Sequence, residues 1–336
     1  MVFCEKPMRN FLKLTIFCCL LFTFPATAQY RLTINQGHSH NDYHQVNPLL
    51  NAYQVGMGSI EADVFLRNGE LYVAHDSTEI ITGATLKKLY LAPLADLHEK
   101  NGNRPYLDST WKLQLVVDIK ENHQQVLPLL IKELERYKNT FNSTNNANAI
   151  RIVISGSMPL PSAFKNYPAY ISFDGRPFIK YNKNQLKRIA MISDDLKNYT
   201  KWEGIGLPVK ADLLKLNAVV KQAHQQQKPF RFWATHDNPD TWKLLGKLGV
   251  DWINTDQPEK LREFFFSCSI DSTPSPSIKK QISPSSTKTD SQTSAYGLKM
   301  SSRMLTTKTA TRSIGKLSRQ ETRVWEPTTI SNPPIM

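Results

Sequence analysis

The sequence predicts a single (β/α)8 TIM barrel of the α/β class over residues 29–266, on three observations. Short apolar runs that end in polar residues alternate with longer stretches of helical period, the signature of repeated β-α units. The segment has the length of one barrel domain. Its ionisable residues gather at or just after the ends of the apolar runs, where a barrel opens the mouth that carries active sites. An open, doubly wound sheet is the alternative reading of the same alternation.

In chain order, Leu32 to Gln36 reads as the first strand and Pro48 to Val55 as its helix. Ser59 to Phe65 is the second strand. The turn Arg67-Asn68-Gly69-Glu70, whose Asn-Gly pair favours positive φ, leads into a short strand from Leu71 to Ala74. Leu113 to Ile119 is a strongly apolar strand and Gln124 to Tyr137 its amphipathic helix. Further strands are expected at Ile150–Ser155, Ala169–Phe173, Ile189–Ser193, Phe230–Ala234 and Trp252–Asn254, with helices at Ala211–Gln227 and Pro239–Leu248. The count is about eight strands, with Leu71 the ambiguous one.

The two ends of the chain read differently. Lys6, Arg9 and Lys13 precede or enter an apolar run from Leu12 to Phe24, and Ala26-Thr27-Ala28 offers small side chains for cleavage, so residues 1–28 are expected to be a signal peptide that exports the protein. An uncleaved anchor is the competing reading. Cys4, Cys18 and Cys19 fall in this leader, which leaves Cys268 alone in the exported chain and excludes an internal disulfide framework. Residues 267–336 are rich in Ser, Thr, Pro, Lys and Arg and lack any period, the composition of a disordered tail. Of the formal net charge of +13, about +6 lies in that tail and about +2 in the leader. The remaining core is too mildly basic, and too lacking in a basic stripe with aromatics, to suggest nucleic-acid binding.

The polar residues at the strand ends define a candidate site. Glu61 and Asp63 are two apart on a strand and therefore face the same side, inward in a barrel. Two carboxylates in a closed interior repel unless a cation or proton intervenes. With Asp118 they form an oxygen set suited to a divalent cation, Mg²⁺ or Ca²⁺. The competing reading pairs one of them with Lys120 or Arg176 in an ion network. His38, His40 and His75 are candidate proton carriers, since imidazole changes charge near neutral pH. Two such groups across a barrel mouth suit phosphodiester cleavage, which needs one proton taken and another given. Lys120 and Arg176 are candidates to neutralise phosphate oxygens, joined by Asn41 and Asp256 at strand ends. Trp233 is expected either to wall the substrate pocket or to pack in the core. No Gly-rich phosphate loop, Cys pair or His-Glu-x-x-His helix is present.

The segments Gly37-His38-Ser39-His40-Asn41-Asp42-Tyr43, Ser59-Ile60-Glu61-Ala62-Asp63-Val64 and Gly69-Glu70-Leu71-Tyr72-Val73-Ala74-His75-Asp76 resemble, in that order, the phosphatidylinositol-phospholipase-C-like superfamily of phosphodiesterases. The nearest branch is that of the altered inheritance of mitochondria protein six. Glycerophosphodiester phosphodiesterases share the Glu-x-Asp, the His-Asp after a Gly turn and a late Thr-Asp-x-Pro, here Thr255-Asp256-Gln257-Pro258. Sphingomyelinase D is similar at His38, Glu61, Asp63, His75, Asp118 and Lys120. The resemblance implies a Mg²⁺- or Ca²⁺-assisted phosphoric diester hydrolase with two catalytic histidines, acting on a glycerophosphodiester or a (lyso)phospholipid-like substrate and touching a membrane at most peripherally. Aligned with the glycerophosphodiesterases the first catalytic place falls on His40, and aligned with sphingomyelinase D on His38. The Arg of the family's His-Arg-Gly opening is replaced by Asn41. A catalytically silent phospholipid- or carbohydrate-binding barrel and a metal-independent phospholipase C are the alternatives.

Overall fold

The computed structural model describes residues 33–270. The expected leader, and the expected tail beyond Ile270, lie outside the described residues. Nine strands form one sheet: β1 (Gly37–Ser39), β2 (Ser59–Arg67), β3 (Glu70–Val73), β4 (Gln114–Ile119), β5 (Arg151–Gly156), β6 (Ile171–Gly175), β7 (Ile189–Asp195), β8 (Phe230–Trp233) and β9 (Ile253–Thr255). Their order is β8-β7-β6-β5-β4-β2-β1-β9, every neighbour on this path being parallel. The first and last strands of that path meet through a parallel bridge between Arg231 and Trp252, backed by the Asp251 and Trp252 amides donating to the Phe230 carbonyl. Eight parallel strands therefore come round into a nearly closed barrel. β3 stands outside that count: it folds back antiparallel on β2 through Asn68 and Gly69, both at positive φ, and returns the chain to the mouth at His75.

Alternation sorts the side chains. In β2, Ile60, Ala62 and Val64 point outward into the main core, whereas Ser59, Glu61 and Asp63 face the barrel axis. Leu115, Val117 and Ile119 of β4, Ile152 and Ile154 of β5, and Phe230 and Phe232 of β8 follow the same rule, packing beneath the surrounding helices. A second, small apolar cluster of Val116, Val153, Ala190 and Met191 fills part of the barrel interior. The polar layer thus rests on a packed floor.

The helices are α1 (Leu50–Val55), α2 (Ala92–Lys100), α3 (His123–Leu134), α4 (Lys138–Phe141), α5 (Lys183–Leu186), α6 (Lys210–Gln225), α7 (Pro239–Lys247) and α8 (Pro258–Ile270). Among the described residues no helix is long and apolar enough to cross a membrane. Most expected elements are found with ends shifted by one or two residues, and two boundaries have a visible physical cause. Ile34–Gln36 is a 3-10 turn and the first strand begins at Gly37, because the Gln36 carboxamide accepts from the Thr33 amide and closes the turn. α8 continues into the first residues of the expected tail, held by Leu261 and Phe265 in the core and by a Ser267 hydroxyl donating to the Phe264 carbonyl.

Candidate active site

Register stacks the site in layers. His38 of β1 lies beside Ser59 of β2, at the deeper level, and Asp63 lies beside Asp118 of β4, at the rim. Glu61, Asp63 and Asp118 each bring an oxygen within 4.8 Å of the others. Asp63 Oδ2 accepts from the Tyr43 hydroxyl at 2.8 Å and pairs with Lys120 Nζ at 2.6 Å, and the same ammonium reaches Asp118 Oδ2 at 2.8 Å. Asp63 Oδ1 is buried and has no hydrogen-bond partner among the described residues. Glu61 Oε2 takes Arg231 Nη1 at 2.6 Å and His38 Nε2 at 2.8 Å.

The electrostatics follow. Burial alone would raise the Glu61 carboxyl, but Arg231 and His38 hold it well below the usual carboxylate range. Burial, and then repulsion by Glu61, push the Asp63 carboxyl above its ordinary value in spite of Lys120. Lys120, although partly buried, is held above the ordinary ammonium range by Asp118 and Asp63. Three carboxylates face two cations, Lys120 and Arg231, and one oxygen of Asp63 is left unpaired among the described residues. That set fits a hard divalent cation, which would use the free Asp63 oxygen and relieve the repulsion.

The histidines separate sharply. His38 is fully buried, with Nδ1 on the Ser59 hydroxyl at 2.7 Å and Nε2 on Glu61, so both ring nitrogens are engaged. Burial, then Arg231, push its pKa down to about 3. His40 sits one step higher, its side chain 28% exposed and its Nδ1 2.8 Å from Asp256 Oδ1. Burial lowers its affinity for a proton, but the Asp256 hydrogen bond and the Glu61 charge outweigh that and raise it. His75, 54% exposed, places Nδ1 3.4 Å from both Asp63 Oδ2 and the Tyr43 hydroxyl. Each of these two rings turns Nδ1 to a carboxylate and leaves Nε2 without a hydrogen-bond partner among the described residues.

The loop after β1 arranges this. Asp42 is buried and accepts from the Ser39 hydroxyl, the Leu49 amide and the Tyr90 hydroxyl, which anchors the loop at both ends. Asn41, at φ 48°, donates to Asp256 Oδ2 at 3.2 Å and accepts from Tyr43. Asp256 is positioned by Asp237, which accepts its amide and the Thr255 hydroxyl. Arg176 is tied by Nη1 to Asp174 at 2.7 Å and to the Ser193 hydroxyl at 3.0 Å, a separate polar group of β6 and β7. Trp233 ends β8 and is partly exposed, on the same side of its strand as Arg231 and therefore at the mouth rather than in the core.

Tyr43 and Arg231 are the site residues that sequence reasoning missed. Arg231 carried a signal, being the lone charge between Phe230 and Phe232 with their outward pattern. Tyr43 lay within the His-Asn-Asp-Tyr segment, but nothing in its sequence context assigned it to Asp63.

Residues 30–173 match the AIM6-like phosphodiesterase domain, and residues 229–259 match the glycerophosphoryl diester phosphodiesterase family. The chain is 25% identical over 267 residues to an altered inheritance of mitochondria protein 6 homolog of Arthroderma benhamiae, covering 68% of this chain and 83% of that protein. It is 27% identical to altered inheritance of mitochondria protein 6 of Eremothecium gossypii, covering 68% of each. Among solved structures, a glycerophosphodiester phosphodiesterase from Parabacteroides distasonis superposes with a TM-score of 0.43 at 16% identity, covering 70% of this chain and 96% of that one. The two matched segments contain β1 to β5, the first half of β6, and β8 to β9, and with them Glu61, Asp63, His75, Asp118 and Asp256. The barrel is thus similar from β1 into β6 to the AIM6-like phosphodiesterase domain and over its last two strands to the glycerophosphoryl diester phosphodiesterase family.

Proposed function

We propose that the protein is a divalent-cation-dependent phosphoric diester hydrolase acting on a glycerophosphodiester or (lyso)phospholipid-like substrate. The observation that carries the reading is the pairing of one acidic cluster with two imidazoles whose Nε2 atoms are free at the barrel mouth. Glu61, Asp63 and Asp118 hold the cation, Mg²⁺ or Ca²⁺, which when bound supplies positive charge to the phosphate oxygens. Lys120 adds a second positive charge beside the same oxygens.

His75 and His40 then divide the proton work. His40, whose Nδ1 faces the Asp256 carboxylate and whose protonated form that carboxylate favours, gives its separate Nε2 proton to the departing oxygen. His75 takes the proton of the attacking water, its Nδ1 steered by Asp63 and Tyr43. His38 serves as a positioning residue: neutral and buried, it fixes Glu61 from below. Asn41 and Asp256 line the approach to His40, Trp233 offers a flat apolar wall to the substrate, and Arg176, paired with Asp174 past the end of β6, is a further positive charge for the phosphate. The apolar run of residues 12–24 supports export as the setting of this activity.

One observation favours a second reading. Lys120 already bridges two of the three carboxylates, so the cluster has an internal counter-charge and the histidines could work without a metal ion. Chelation separates the two. Phosphodiester turnover by the full chain should vanish in excess chelator and return with Mg²⁺ or Ca²⁺; full activity in chelator establishes the metal-independent reading instead.

A further inference from the structure

Twelve large apolar side chains are exposed among the described residues, and half of them crowd one sector of the mouth. Leu160 follows β5, Phe178 follows β6, Ile205, Leu207 and Val209 follow β7, and Trp233 ends β8. These four strands are consecutive neighbours in the sheet, so their outgoing loops lie side by side at the end of the barrel that carries the candidate active site. Leu160, Phe178 and Ile205 are 75%, 77% and 81% exposed, at an energetic disadvantage in water.

The Ile205 tip is built to stay out. Gly204 and Gly206 on either side have φ of 81° and 63°, a backbone that other residues rarely adopt. Trp202 Nε1 donates to the Ile205 carbonyl at 2.8 Å, and the Gly206 amide donates to Asp240 Oδ2 at 3.0 Å. The loop is thereby pinned from both flanks with its apolar side chain facing solvent.

Charge points to the occupant. Lys180, two residues past Phe178, and Lys197 and Lys201, which precede Ile205 on its own loop, form no ion pair among the described residues, while Glu203 is the one carboxylate of the loops after β5, β6 and β7. Apolar tips that share their loops with unpaired lysines match an anionic lipid surface, where side chains enter the acyl boundary and ammonium groups meet headgroups. We infer that this sector of the mouth docks on an anionic phospholipid membrane and presents a headgroup to the site between His40 and His75. The inference deepens the phosphodiesterase reading and rests on it for the purpose of docking, but the docking itself is measured without turnover.

The experiment is flotation of the full chain with phosphatidylcholine vesicles, with and without phosphatidylglycerol, alongside Ile205→Asp/Leu207→Asp and Lys180→Glu/Lys201→Glu. The expected result is partition onto the anionic vesicles that falls about tenfold in each double variant, with hydrolysis of a soluble glycerophosphodiester unchanged. Absence of binding overturns the inference. So does binding that both variants retain, since it would then belong to other residues such as the basic stretch after residue 267. Self-association that the Ile205→Asp/Leu207→Asp variant abolishes, without vesicle binding, overturns it as well and gives the face to a second copy of the chain. A catalytically silent protein that still floats would leave the docking standing and remove only the phosphodiesterase reading.

Discussion

His38 and His40 are separated by one residue and have opposite environments. The deeper ring has both nitrogens engaged and is held neutral by burial beside Arg231; the outer one shares a proton with Asp256. Two different losses are therefore expected. His40→Ala should cut kcat by about 10²-fold or more with little change in Tm. His38→Ala should lower stability by about 1–3 kcal/mol, because it leaves buried polar groups of Ser59 and Glu61 short of a partner. Thermal denaturation beside steady-state kinetics distinguishes them, and equal kinetic losses without destabilisation at His38 would return it to the catalytic set. Arg231→Met should cost more, about 3–5 kcal/mol, since Glu61 would keep a buried charge without its main partner. Asp256→Asn bears on pH. The Asp256 hydrogen bond and the Glu61 charge raise His40, against burial and Arg231, so the proton is retained to higher pH in the native protein. Removing the carboxylate should move the alkaline limb of kcat/KM to lower pH. The associated stability is present below the unfolded histidine pKa and is lost as pH rises through the folded value, so the variant should lose stability at acidic rather than alkaline pH.

At the level of elements, the ends of β2, β4 and β5 determine where the carboxylates stand. Gly156 closes β5 at φ 69°, and a Cβ there would lie 2.4 Å from the Ile119 carbonyl and 2.8 Å from Asp118 Oδ1. Gly156→Ala should therefore displace Asp118, lowering divalent-ion affinity measured by calorimetry along with Tm; unchanged affinity would mean that Asp118 is not part of the ion's shell. The interior carboxylates were legible in the sequence because a period of two fixes the facing of Glu61 and Asp63 once the strand is recognised. Asp118 was legible for the same reason, and His75 only from its place after the Asn-Gly turn and the short apolar run. Tyr43 was not, since its contact with Asp63 depends on the loop path that Asp42 sets through Ser39, Leu49 and Tyr90, residues up to 48 apart. The start of β1 was misread because a side-chain hydrogen bond from Gln36, and not hydrophobic alternation, decides the backbone there.

For the whole molecule, closure of the barrel is what turns residues distant in sequence into one site. β1 pairs with both β2 and β9, and Arg231 of β8 bridges to Trp252 beside β9, which brings Asp256 to His40 across 216 residues and Arg231 to Glu61 across 170. The eight-strand repeat was readable as alternation, whereas the extra antiparallel strand β3 was readable only as an ambiguity, because its Asn-Gly turn does not say which way the next strand pairs. The central claim is that Glu61, Asp63 and Asp118 share one cation in the service of phosphodiester cleavage. Its most direct test is product formation from a panel of glycerophosphodiesters and lysophospholipids, followed by phosphorus NMR, for the full chain and for Asp63→Asn, each with Mg²⁺ or Ca²⁺ and with excess chelator. The account predicts cleavage by the unmodified chain with a divalent ion alone, lost in chelator and in Asp63→Asn; cleavage that persists in both would contradict it.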